Sequence, residues 1–194
     1  MMSSTRYEWT VLDFAIWFAG TITVPIYETS SASQVEWILV DSGARLVVVE
    51  NAEKLELVRT VVGESALLVQ GPVSLWCIDD DGDSPHLGGL TAVGRGVSDA
   101  ELESQRSVAE LGSVASMVYT SGTTGRPKGC QITHGNFALV AKNVIPFLPE
   151  VLAAGPSRTL MFLPLAHLLA RGSVGLSDRW HNVRSYRQCE GVAR

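Results

Sequence analysis

The sequence is short of charge. Asp, Glu, Lys and Arg make up 18% of its 194 residues, against about 25% in an ordinary soluble domain. So few charges suit a chain that lays part of its surface against further polypeptide. Basic residues are the scarcer kind: 15 Lys and Arg face 20 Asp and Glu, for a net charge of −5. That balance argues against nucleic acid as a main partner. Cysteine is also scarce. Cys77, Cys130 and Cys189 are an odd, scattered set, which suggests neither a disulfide framework nor metal-ligand spacing. A reducing, cytoplasmic setting is the expectation. The apolar run from Val11 to Ile26 carries Asp13 and is interrupted by Pro25, so it falls short of the ~20 residues that span a bilayer. Arg6 ahead of that run imitates a signal peptide, but Asp13 and the want of a small-x-small cleavage site argue against one.

The chain has apolar segments in alternating periods. Glu8 to Gly20 places Trp9, Leu12, Ile16 and Ala19 near one face, widened by Phe14, Trp17 and Phe18, and predicts a buried helix with Gly20 as its C-terminal cap. Thr21 to Tyr27 is rich in β-branched residues and predicts a strand. Ser31-x-x-Gln34 forms a capping box ahead of Val35, Ile38 and Leu39, in a helix that ends near Gly43. Leu46-Val47-Val48-Val49, within Arg45 to Glu50, is the continuous run of a parallel strand covered on both faces. Ala52 to Val62 predicts a helix with Leu55, Leu57, Val58 and Val62 inward, and Ser74 to Ile78 a further strand. This alternation predicts an α/β fold, a mostly parallel sheet with flanking helices. Asp79 to Asp83 reads as a solvated acidic turn without calcium-loop spacing. Leu87 to Gly96 is Gly-rich and predicts a loop, and Asp99 to Arg106 an exposed helix. A last helix starts at Thr133 or His134 and runs through Phe137, Leu139, Val140 and Val144 to Pro146 and Pro149. His134 is expected to cap or pack there. Arg158 to Pro164 predicts a strand.

The most informative stretch is Tyr119 to Gly129. Thr120, Ser121, Thr123 and Thr124 supply hydroxyls, and Gly122, Gly125 and Gly129 let the backbone turn tightly. Successive N–H groups in such a loop make an anion-binding nest, and Lys128 adds a mobile charge suited to phosphate. A Walker A loop needs Gly before the Lys, Ser or Thr after it, and a helix starting there. Here Pro127 precedes Lys128 and Gly129 follows it. The apolar run Val114 to Val118 leads in and Cys130 to Thr133 leads out, so the loop is expected to run from strand to strand.

That loop resembles the signature loop of the adenylate-forming, AMP-binding superfamily of acyl-CoA synthetases, luciferases and peptide-synthetase adenylation domains. The resemblance implies that Thr120, Ser121, Gly122, Thr123, Thr124, Gly125 and Lys128 hold the β- and γ-phosphates of ATP while a carboxylate attacks the α-phosphorus. Phe162 to Arg171 is similar to a second motif of the superfamily in its long-chain acyl-CoA synthetase form, which puts His167 where the acyl pocket meets the thiol channel. The helix leading to Val24-Pro25 is similar to the family's opening segment. Fatty acid, ATP and CoA are the implied substrates, with Mg²⁺ accompanying the nucleotide and room for peripheral membrane contact. No side chain of this chain is implied as a metal ligand.

The resemblance covers about Ser3 to Arg171. Residues 1–171 are therefore expected to be part of the superfamily's N-terminal domain, and 172–194 an atypical tail, out of frame or disordered. From Arg171 onward the charge reverses, with five Arg against two acidic residues. The adenine loop, the ribose-binding Asp, the Glu that helps hold Mg²⁺ and the C-terminal Lys of the superfamily have no counterpart in these residues. A fragment with little turnover on its own is the expectation. The rival readings are a non-catalytic remnant or interaction module, and part of an enzyme that adenylates amino acids or aryl acids.

Overall fold

The computed structural model describes residues 1–66, 73–120, 126–144, 159–161, 163–168, 170–171 and 183–185. Helix α1 (Tyr7–Phe18) ends at Ala19, with Gly20 just beyond it at φ +69°. Helix α2 (Ala32–Ser42) carries the predicted capping box, Ser31 with Gln34, and stops at Gly43 in the left-handed conformation, φ +65°. Strand β1 (Leu46–Val49) pairs in parallel with β2 (Ser74–Cys77), and helix α3 (Ala52–Glu64) connects them. Helices α4 (Leu87–Gly94) and α5 (Asp99–Arg106) follow. Strands β3 (Val114–Thr120) and β4 (Lys128–Thr133) form an antiparallel hairpin that leads into helix α6 (His134–Val144). Strand β5 (Thr159–Met161) pairs in parallel with β6 (Val183–Ser185).

The sheet is held together at single-residue contacts. Met2 bridges in parallel to Val49 on one side and to Ile26 on the other, and Thr23 bridges in parallel to Ser116 of β3. Thr21 to Tyr27 is thus not a regular strand, contrary to the sequence pattern. Pro25 lies within it, and proline cannot donate to a ladder. What remains is a set of bridges that carry β3 into register with the rest of the sheet.

The run Leu46 to Val49 behaves as its pattern predicts. Val47 and Val49 pack with Val35, Leu39, Leu55 and Val58, whereas Val48 points to the opposite layer with Trp9, Leu12 and Leu165. Two core layers therefore share one strand, as period-2 alternation requires. Fully burying a side chain of this size contributes roughly 1.5–3 kcal/mol.

Two further expectations are corrected. Leu87 to Gly96 is helical through Gly94. The His86 ring nitrogen accepts from the Gly88 N–H and caps the helix, and Gly89 lies so close to the Trp76 ring that a Cβ would come within 3.1 Å. The glycines here permit that contact and do not mark a loop. In α1, Phe18 is exposed while Asp13 is buried, because the inward stripe runs Trp9, Leu12, Asp13. In α6, Leu139 and Val140 are exposed, and the helix meets α1 through His134 and Phe137. Pro146 and Pro149 lie outside the described residues.

Asp13 is buried because Arg171 reaches it. The guanidinium makes a two-pronged contact, Nε to Oδ2 at 3.0 Å and Nη2 to Oδ1 at 2.7 Å, and its Nη1 donates to the Ser116 hydroxyl at 2.5 Å. Side-chain exposure is 2% for Arg171 and 7% for Asp13. Burial raises the Asp13 pKa and lowers that of Arg171, and the contact between them opposes both shifts. Removing one partner leaves the other charge unpaired in the core, which costs about 3–5 kcal/mol. We therefore expect Asp13→Ala to lower the urea-denaturation free energy by that amount, and Asp13→Leu with Arg171→Met to recover most of it. An equal loss in the single and double variants would show that the pair is not what the core depends on.

Candidate phosphate-binding hairpin and the His167 turn

The β3–β4 register sets the geometry of the candidate site. Tyr119 lies opposite Gly129, and Thr120 opposite Lys128. Both Thr120 and Lys128 are exposed, and they are the last pair of the ladder before the connecting segment. The chain returns as a strand that starts at Lys128, not as a helix, as the Pro127-Lys128-Gly129 order predicts and a Walker A loop would not. Ser121, Gly122, Thr123, Thr124 and Gly125 lie outside the described residues. The hairpin brings Thr120 and Lys128 together as a cross-strand pair, a hydroxyl and an ammonium.

The ladder next to this pair is packed tightly. A Cβ at Gly129 would come within 2.9 Å of Met117 Sδ and 3.2 Å of the Tyr119 ring. The Tyr119 hydroxyl donates to Asp41 on α2 at 2.6 Å. Burial, and then the adjacent Asp41 carboxylate, raise the Tyr119 pKa, so the phenol stays protonated as the donor. Thr133 and Asn136 bond each other reciprocally, side chain to backbone, and start α6 directly after β4.

His167 sits in a tight turn. Its N–H donates to the Pro164 carbonyl at 2.8 Å, and its own carbonyl accepts from Ala170 at 3.1 Å and Arg171 at 3.4 Å. Leu165 and Ala166 are buried under the turn, while His167 is exposed. The Leu165 N–H donates to Thr5 Oγ1 at 3.0 Å, and the Thr5 hydroxyl donates to the Leu163 carbonyl at 3.2 Å, which ties the segment to the start of α1. Arg171 then links this turn to β3 through Ser116. Ser116 precedes Thr120 by four residues, about 13 Å of strand.

The Arg171 guanidinium also lies over three rings, 5.4 Å from Trp9, 5.6 Å from Trp17 and 5.1 Å from Phe137. A cavity of about 340 Å³ opens beside it, lined by Trp9, Asp13, Trp17, His134, Phe137 and Leu165. The His134 ring packs against Trp17 at 5.2 Å. Burial lowers the His134 pKa, with Asp13 opposing, and favours the neutral imidazole. His134 thus both packs and starts α6. Sequence reasoning missed Asp13, Ser116 and Arg171 as a unit. The available signal was an acid at i+4 between two tryptophans, Trp9 and Trp17, on the inward stripe of an apolar helix. Among the described residues, no three His, Cys, Asp or Glu side chains converge on a metal-sized site.

Comparison with known proteins agrees with this arrangement. A long-chain-fatty-acid–CoA ligase of Mycobacterium bovis, FadD15, is 43% identical over 172 residues, covering 88% of this chain; the chain spans 28% of that relative's length. Among solved structures, a luciferase-like enzyme from the mealworm Zophobas morio superposes with a TM-score of 0.71 at 16% identity, over 95% of this chain and 40% of the other. ATP-bound MatB from Rhodopseudomonas palustris gives 0.66 at 22% identity, over 95% and 34%. At those identities the structures speak to fold alone. The family model described as AMP-binding enzyme matches residues 1–176, a span that holds both the hairpin and the His167 turn. With the α/β fold, the strand-to-strand loop and that match, the chain belongs to the AMP-binding enzyme family.

Proposed function

We propose that this chain supplies the triphosphate-binding part of an ATP-dependent long-chain fatty acid–CoA ligase. The observation that carries the reading is the 43% identity to a ligase of that name. The exposed Thr120–Lys128 pair at the loop end of the hairpin supports it. The acid's carboxylate oxygen attacks the α-phosphorus of ATP and pyrophosphate leaves. The CoA sulfur then attacks the acyl carbon, and AMP leaves. Thr120, Ser121, Gly122, Thr123, Thr124, Gly125 and Lys128 hold the β- and γ-phosphates in this proposal. Their charge-assisted contacts stabilise the leaving pyrophosphate. In this reading His167, on the turn that Arg171 closes, serves where acyl group and thiol meet.

Mg²⁺ enters with the nucleotide, neutralising the phosphate oxygens as part of the substrate. The cytoplasm supplies ATP and CoA and is the compartment proposed. Peripheral membrane contact would deliver the apolar acid; no helix among the described residues is long and apolar enough to cross a membrane.

Loss of one hydrogen bond to a charged group costs roughly 1.5–3 kcal/mol, or about 10- to 150-fold in affinity. Titration calorimetry with ATP is expected to show a loss in that range for Lys128→Ala relative to the parent chain. Equal affinities would remove Lys128 from the phosphate site.

A further inference from the structure

Helix α2 touches both limbs of the phosphate hairpin. Trp37 and Asp41 lie one helical turn apart, on one face of α2. The Trp37 indole N–H donates to the Pro127 carbonyl at 2.8 Å, and the Arg126 guanidinium lies 4.6 Å over the Trp37 ring. Asp41 accepts from the Tyr119 hydroxyl at 2.6 Å. Pro127 immediately precedes Lys128, and Tyr119 immediately precedes Thr120. Each limb is therefore gripped one residue away from the Thr120–Lys128 pair that ends the ladder.

The residue types suit the task. Pro127 has no N–H to give a ladder, so this corner of the chain is tied down by its carbonyl instead. Trp37 is half-buried and rigid, with only two side-chain torsions, and its N–H has one direction in which to donate. Arg126 is exposed and would otherwise swing freely. Stacking on the indole holds its charge beside the returning limb. The helix that does the gripping is itself locked at both ends, by the Ser31–Gln34 capping box and by Gly43.

We propose that Trp37 is a positioning residue for Lys128, and that with Asp41 it holds the Thr120–Lys128 pair in place against α2 and so sets how tightly the hairpin binds a triphosphate. This rests on the reading of the hairpin as the ATP phosphate site. Trp37 touches neither nucleotide nor acid. It acts through the Pro127 carbonyl and the Arg126 stack.

The test is a double-mutant cycle on ATP binding, by titration calorimetry on the full chain. Trp37→Leu is expected to weaken ATP about fivefold, the worth of one ordinary hydrogen bond. Trp37→Phe, which keeps a ring under Arg126 but donates nothing, is expected to fall between. In a Lys128→Ala background, Trp37→Leu is expected to matter less, because contacts in series do not add. A merely structural role would weaken binding equally with and without Lys128, and that result overturns the proposal. A second readout needs no ligand. Trp37→Leu is expected to speed amide exchange across Lys128–Cys130 while Val47–Val49 keep their protection. Unchanged exchange at Lys128–Cys130 overturns the positioning role even if the parent chain fails to bind ATP, an outcome that would sink the functional reading separately. Should Trp37→Leu unfold the chain, Trp37→Phe is read by the same two criteria.

Discussion

Two charges taken out of water must find each other, and in this chain they do so across 158 residues of sequence. The Asp13–Arg171 pair is the constraint on which the central arrangement depends. Arg171 closes the His167 turn through its backbone. Its side chain spans to α1 through Asp13 and to β3 through Ser116. The Ser116 hydroxyl in turn donates to the Thr23 carbonyl, so the bridged segment that carries β3 into the sheet is tied to the same point. Three rings crowd the guanidinium and exclude solvent from it. A carboxylate alone there would be too costly to bury. With a two-pronged partner and a third hydrogen bond, the cost is largely offset and the geometry is specific.

The hairpin and α2 form a second, more local unit. Here the work is done by glycine, proline and two aromatic side chains rather than by buried charge. Gly129 lets β4 lie against Met117 and the Tyr119 ring, Tyr119 hands its hydroxyl to Asp41, and Trp37 holds Pro127. The outcome is a firmly packed base under the Thr120–Lys128 pair. A site that stabilises charge developing on a leaving group works best when its donors are held in advance of the reaction. The two units meet on β3, whose Ser116 belongs to the first and whose Tyr119 belongs to the second.

Much of this was legible in the sequence where signals are local. The Ser31 box, the Val47–Val49 run, the strand-to-strand reading of the Pro127-Lys128-Gly129 loop and the α/β alternation all depend on neighbours within a few residues, and each appears in the fold. Helix α4 was not legible, because its glycines answer to the Trp76 ring from a different element. Thr21 to Tyr27 has the composition of a strand, yet its partners are isolated residues far away in sequence. Asp13 was read as an interruption of an apolar run; its meaning lay in Arg171, which no periodicity links to it. Of the site residues, Thr120, Lys128 and His167 have defined places, and Ser121 to Gly125 fall outside the described residues.

The central claim is that the loop end of the β3–β4 hairpin receives the phosphates of ATP. The most direct measurement is a ¹⁵N–¹H correlation spectrum of the labelled chain titrated with ATP and Mg²⁺. The account predicts that the amide signals of Thr120 and of Lys128 to Cys130 shift in step with one another and saturate together, while those of Leu46 to Val49 stay in place. Shifts that leave the hairpin untouched and gather elsewhere, or no shifts at all in a folded chain, would contradict it.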